Sequence, residues 1–96
     1  MNNIYIKTME ECGELIQACA KVLKHGDTEK HNLAEECGDV MAQIMLLVES
    51  GIVSEPVMNQ KYIDSKNKYR DLYKVSQGYK RGVSGYQRGL SELPNA

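Results

Sequence analysis

Ninety-six residues allow one domain and leave no room for two independent cores. Apolar residues make up 42% and charged residues 26%, the proportions of a soluble globular chain, and with no Trp or Phe the core must come from Leu, Ile, Val, Met and six Tyr. The net charge of −1 is unevenly divided: residues 1–55 carry four Lys and ten acids, while residues 56–96 carry eight Lys or Arg and three acids. This argues against duplex DNA and suits a site where cations meet an anionic ligand.

The first nine residues hold one Lys and no extended apolar stretch, so no secretory signal is expected. From about Ile4 to Lys24 the spacing predicts a helix, with Leu15, Ala18, Ala20, Val22 and Leu23 in helical phase. Gly26 stops it, and Asp27 or Thr28 can cap the next. A second helix is expected from about Glu29 to Ser50, with Leu33, Val40, Ile44 and Leu47 on one stripe, and Gly51 ends it. The short connection implies an antiparallel hairpin. Ile44 to Val48, the longest apolar run, is far shorter than the roughly 20 residues that span a bilayer. Ser54-Glu55-Pro56 opens a third helix that reaches about Tyr73 and exposes Lys61, Lys66, Lys68 and Arg70. Beyond Val75 four glycines break helical continuity, and Gly78-Tyr79-Lys80-Arg81-Gly82 is repeated as Gly85-Tyr86-Gln87-Arg88-Gly89. Residues 76–96 read as an arm, disordered or in contact with another copy, and nucleic acid is not expected as a partner. Three cysteines without a CxxC pair indicate neither a disulfide framework nor a zinc site, and a reducing cytoplasm is the simplest setting.

A second repeat carries the chemistry. Glu10-Glu11-Cys12-Gly13-Glu14-Leu15 recurs 25 residues later as Glu35-Glu36-Cys37-Gly38-Asp39-Val40. At about 100° per residue, Glu11 and Glu14 lie about 60° apart, as do Glu36 and Asp39. Leu15, Ala18 and Val22 fall in phase with Glu11, and Val40 and Leu47 with Glu36, so the carboxylates extend the apolar stripes. Like charges repel on a helix, and an unpaired carboxylate costs several kcal/mol to bury. Gly13 and Gly38 each cost about 1 kcal/mol more relative to Ala. A chain stable by roughly 5–15 kcal/mol does not collect such penalties without compensation. Four inward oxygens without a His select a hard cation, Mg²⁺ or Mn²⁺ as its substitute. A di-iron bundle would need Glu-x-x-His on two helices, and the motifs here are Glu-x-x-Glu and Glu-x-x-Asp. Cys12 and Cys37 are expected as small buried packers.

Glu-Glu-x-x-Glu, then 21 residues, then Glu-x-x-Asp resembles the signature of the all-α nucleoside triphosphate pyrophosphohydrolases, the MazG-like group. The resemblance covers about residues 7–72 and includes the contexts Glu14-Leu15-Ile16-Gln17 and Leu33-Ala34-Glu35-Glu36. It implies an all-α fold in residues 1–75, a helical hairpin plus a third helix, with a four-helix-bundle-type active site completed by oligomerisation. Homodimers or homotetramers are expected, since three helices cannot close a generous core alone. It further implies hydrolysis of a (deoxy)nucleoside triphosphate to the monophosphate and pyrophosphate by water attack at the α-phosphorus. Glu11, Glu14, Glu36 and Asp39 would hold two or more Mg²⁺ ions.

Glu10 is the candidate to accept the water proton, the alternative being a surface salt bridge to Lys7. The segment Lys61-Tyr62-Ile63-Asp64-Ser65-Lys66-Asn67-Lys68-Tyr69-Arg70 is similar to the third-helix pattern of some members. By that similarity Asn67 and Tyr69 would contact the nucleoside, and Lys61, Lys68 and Arg70 the phosphates. Lys24 is a further phosphate candidate, although a basic residue there also suits the helix dipole. Two rival functions remain: a phosphoribosyl-ATP pyrophosphatase, and a non-catalytic helical interaction module with a residual metal site.

Overall fold

In the computed structural model, which describes residues 3–74, helix α1 (Asn3–His25) leads through a 3-10 turn (Gly26–Glu29) into α2 (Lys30–Glu49), and α3 (Glu55–Tyr73) follows. Among the described residues there is no strand, and the fold is all-α. The chain divides into two units, residues 1–55 and residues 56–96.

The first unit is a hairpin, because α1 and α2 pack along each other across a four-residue turn. On α1 the inward positions Ile4, Thr8, Glu11, Leu15, Ala18 and Val22 advance by alternating steps of four and three, and all are half-buried or buried. That step pattern keeps one line of side chains facing a neighbouring helix. On α2 the matching line is Leu33, Glu36, Val40, Gln43 and Leu47, all half-buried. Thr8 fits the apolar line because its hydroxyl donates to the Ile4 carbonyl at 2.7 Å and so brings its own partner. Ala18, at 1% exposure, is the one fully buried residue among those described.

The helices end where the sequence says, within a residue or two. Gly26 ends α1 with φ +81°, a backbone state that glycine adopts without a Cβ penalty. The expected side-chain cap at Asp27 or Thr28 is not formed. The chain instead winds as a 3-10 turn in which the Lys30 N–H donates to the Asp27 carbonyl, so backbone acceptors serve the start of α2. The Asp27 carboxylate pairs with the Lys30 ammonium at 3.2 Å. At the other end Gly51 has φ +82°, its N–H donates to the Val48 carbonyl at 3.0 Å, and Ile52 N–H donates to the Leu47 carbonyl at 3.0 Å. This is the Schellman arrangement, and it satisfies carbonyls that the last helical turn leaves open.

Helix α3 accepts Pro56 in its first turn, as expected, and is tied by contacts along its own length. Gln60 donates to Asp64 at 3.1 Å, Lys66 to the Tyr62 hydroxyl at 3.0 Å, and Arg70 to Asn67 at 3.0 Å. The rings of Tyr69 and Tyr73 stack at 5.7 Å. Two expectations need correction. Lys66 and Arg70 are half-buried, since each folds back onto a residue one turn earlier. Cys12 and Cys37 are exposed, because each stands one residue, about 100°, beyond an inward glutamate. The arm at 76–96 lies outside the described residues.

Replacing Ala18 with Leu should overpack the helix interface and lower stability by about 1–3 kcal/mol. A lowered thermal midpoint by circular dichroism checks this, and an unchanged midpoint would show that the helices do not meet at Ala18.

Candidate metal centre

Glu11 and Glu14 on α1, with Glu36 and Asp39 on α2, each place one carboxylate oxygen within 4.8 Å of the others. The repeat makes this possible: the two acidic motifs occupy equivalent positions on helices that pack along each other. Glu11 and Glu36 are half-buried in the inward lines, whereas Glu14 and Asp39, about 60° round, stay exposed at the rim.

The crowding acts on the two inner acids. Desolvation by burial pushes the Glu11 carboxyl above its usual range, and the charges of Glu14 and Asp39 push the same way, with Lys7 opposing. Glu36 is raised by burial first, then by Glu14, Asp39 and Glu11. One oxygen of each inner glutamate, Glu11 Oε1 and Glu36 Oε1, is buried without a hydrogen-bond partner. Buried carboxylate oxygens that lack donors are costly. A divalent cation would supply the missing positive partner, and an all-oxygen donor set without nitrogen or sulfur fits a hard ion.

The remaining candidates are placed as follows. Glu10 is paired with Lys7, Nζ to Oε1 at 2.9 Å, and both side chains are about half exposed. That hydrogen bond, together with the Glu10 charge, raises the Lys7 ammonium. Its repeat counterpart Glu35 places Oε2 3.3 Å from His31 Nε2, a pairing that the i,i+4 spacing signals. Lys24 is exposed in the last turn of α1, where the helix dipole favours a cation.

On α3 the five candidates do not converge on one face. Lys61 and Tyr69 line an open groove of about 540 Å³, together with Met58, Tyr62, Ser65 and Lys66. Lys68 lies over the Tyr69 ring at 5.3 Å, and Lys66 over the Tyr62 ring at 5.2 Å. Asn67 and Arg70 bond to each other and do not line the groove. Tyr62 and Lys66 line the same groove, and their i,i+4 aromatic–cation spacing is the sequence signal for their contact.

The family model described as MazG nucleotide pyrophosphohydrolase domain matches residues 2–70, and so covers the hairpin and most of α3. No curated protein and no solved structure matches the chain.

Without metal, raised carboxyl pKa values carry a definite sign. The protonated inner glutamates stabilise the hairpin below their ordinary pKa of 4.5, and that contribution is lost as pH rises through the raised folded values. In chelator, the wild-type thermal midpoint should therefore fall between acidic and neutral pH by more than that of Glu36→Gln. Equal pH slopes for the two proteins would show that Glu36 carries no such strain.

Proposed function

The chain belongs to the MazG nucleotide pyrophosphohydrolase domain family, and from that membership we propose that it hydrolyses (deoxy)nucleoside triphosphates to the monophosphate and pyrophosphate with Mg²⁺, or Mn²⁺ as substitute. One observation carries the reading: four carboxylates converge within 4.8 Å, and the two inner ones keep a buried oxygen without a partner. Such an arrangement is unfavourable by itself and suits a site shaped for cations.

In this reading Glu11, Glu14, Glu36 and Asp39 hold the metal. When bound, Mg²⁺ offsets the charge of the triphosphate and of the departing pyrophosphate and lowers the pKa of a water. Glu10 stands beside the cluster in sequence and takes the proton of the attacking water, while its partner Lys7 orients it. The inner glutamates, held in the helix interface, fix the position of the charge. The rim acids Glu14 and Asp39 are open to the approaching nucleotide. On α3, Lys61 offers an ammonium to phosphate and Tyr69 a ring face to the base, both from the groove. Asn67, Lys68 and Arg70, with Lys24 on α1, are the further proposed substrate contacts. The working form is a homo-oligomer, dimer or tetramer, because one chain buries little of its own apolar surface.

A panel of ribo- and deoxyribonucleoside triphosphates, with pyrophosphate release followed in Mg²⁺ and in chelator, tests the activity. Release that requires metal supports the proposal. Turnover of phosphoribosyl-ATP alone would assign the related pyrophosphatase instead, and tight Mn²⁺ binding without hydrolysis of any substrate would leave an interaction module. Losing a group that merely orients a metal ligand costs 10–100-fold. Glu36→Gln and Asp39→Asn should therefore lower turnover by at least about 100-fold while the helical spectrum persists. Glu10→Gln should lower kcat by about 100-fold and leave Mn²⁺ affinity unchanged; unchanged kcat would remove Glu10 from proton transfer.

A further inference from the structure

Helix α3 gathers rings and cations on one side. Counting about 100° per residue from Val57, the side chains of Met58, Tyr62, Tyr69 and Tyr73 form a stripe between about 100° and 160°. Lys61 and Lys68 follow one edge of it, at about 40° and 20°, and Lys66 and Arg70 the other, at about 180° and 220°. Asp64 and Asp71, at about 340° and 320°, lie on the far side. Glu55 shares the phase of the stripe but stands in the first turn, at the opposite end of the helix from Tyr69 and Tyr73.

The rings are already ordered. Tyr69 stacks on Tyr73 with centroids 5.7 Å apart and planes 28° apart. Lys68 lies over the Tyr69 ring at 5.3 Å, which gives a series of cation, ring and ring. Tyr73 has no other ring contact among the described residues and is 67% exposed, so the stack can take one more planar group at that end. Two turns toward the N-terminus, the Tyr62 ring is held by Lys66, which donates to its hydroxyl at 3.0 Å and lies over it at 5.2 Å.

We propose that this side of α3 binds single-stranded nucleic acid, with bases against the tyrosines and phosphates along the lysine and arginine edges. A ring face attracts any base, and rings beside a basic track hold single strands without sequence preference. The cations run from Lys61 to Arg70, about 14 Å along the axis. A single nucleotide needs one ring and one group of phosphates, whereas rings and cations repeated along an axis suit a chain of them. A duplex hides its base faces, and the stripe offers it nothing. Charge favours the same partner: residues 56–96 hold eight Lys or Arg against three acids, and the acids that weigh against nucleic acid for the whole chain lie in residues 1–55. The two Gly-Tyr-x-Arg-Gly copies that follow α3 in the sequence continue the pairing of tyrosine with cation. This binding goes beyond hydrolysis and does not depend on it. Lys61, Lys68, Tyr69 and Arg70 are also proposed contacts of the triphosphate; Tyr62, Lys66 and Tyr73 are not, and they separate the two uses.

Full-length protein in chelator is titrated into fluorescein-labelled oligouridylate, oligothymidylate and a duplex, each about twelve nucleotides long, and anisotropy is followed over a range of salt. Both single strands should bind at least about tenfold more tightly than the duplex, with affinity falling as salt rises. Tyr73→Ala should weaken single-strand binding by about tenfold, the effect of a lost base stack, and Tyr73→Phe should bind as wild type. Lys66→Gln should weaken binding and make its salt dependence shallower. Asp39→Asn, in the acidic cluster, should bind as wild type. Absence of single-strand binding, equal affinity for the duplex, an unaffected Tyr73→Ala or loss of binding in Asp39→Asn would each overturn the proposal. If Tyr73→Ala loses helix by circular dichroism, Lys66→Gln and the salt series decide. Failure to hydrolyse any triphosphate, with strand binding intact, would count against the catalytic reading alone.

Discussion

Mutual repulsion among four carboxylates is the constraint around which this small hairpin is organised. Glu11 and Glu36 stand in lines otherwise occupied by Leu15, Ala18, Val22, Leu33, Val40 and Leu47. Any apolar side chain at those two positions would pack better and leave no buried oxygen unpaired. The helices thus forgo part of their own cohesion along their interface. A cation between them would convert that deficit into an attraction across the interface, so that site and fold would share one set of contacts.

Scarcity of core has the same origin. Two helices of 23 and 20 residues give each other one line of side chains, and part of that line is acidic. Stability then rests on local devices: the positive-φ glycines at both helix ends, the Schellman closure after α2, and short-range ties such as Thr8 to Ile4. Helix α3 shows an extreme of this economy, with no fully buried residue and a chain of i,i+3 and i,i+4 partners along its length.

Much of this was legible in the sequence. Helix positions followed from apolar phase and from Gly26 and Gly51. The convergence of Glu11, Glu14, Glu36 and Asp39 followed from a repeat whose acids kept the phase of the core. What was not legible depended on choices that a linear pattern leaves open. A 3-10 turn and a side-chain cap serve the same orphan N–H groups, and composition at Asp27 and Thr28 permits both. Cys12 and Cys37 sit beside glycine and near the apolar phase, which suggested burial. One residue of offset turned them off the inner line, a distinction that needs the position of the second helix. On α3, spacing alone placed Asn67 and Arg70 with the binding residues, while the fold pairs them with each other.

The 25-residue repeat gives the acidic quartet an approximate dyad, since each helix contributes one inner and one rim oxygen from matching places. A nucleotide has no such symmetry; its head and its tail differ. The palindrome is broken just beside the quartet, where Glu10 pairs with a lysine and Glu35 with a histidine. Matching ends of the quartet therefore have unlike surroundings, a lysine pair at one and a histidine pair at the other.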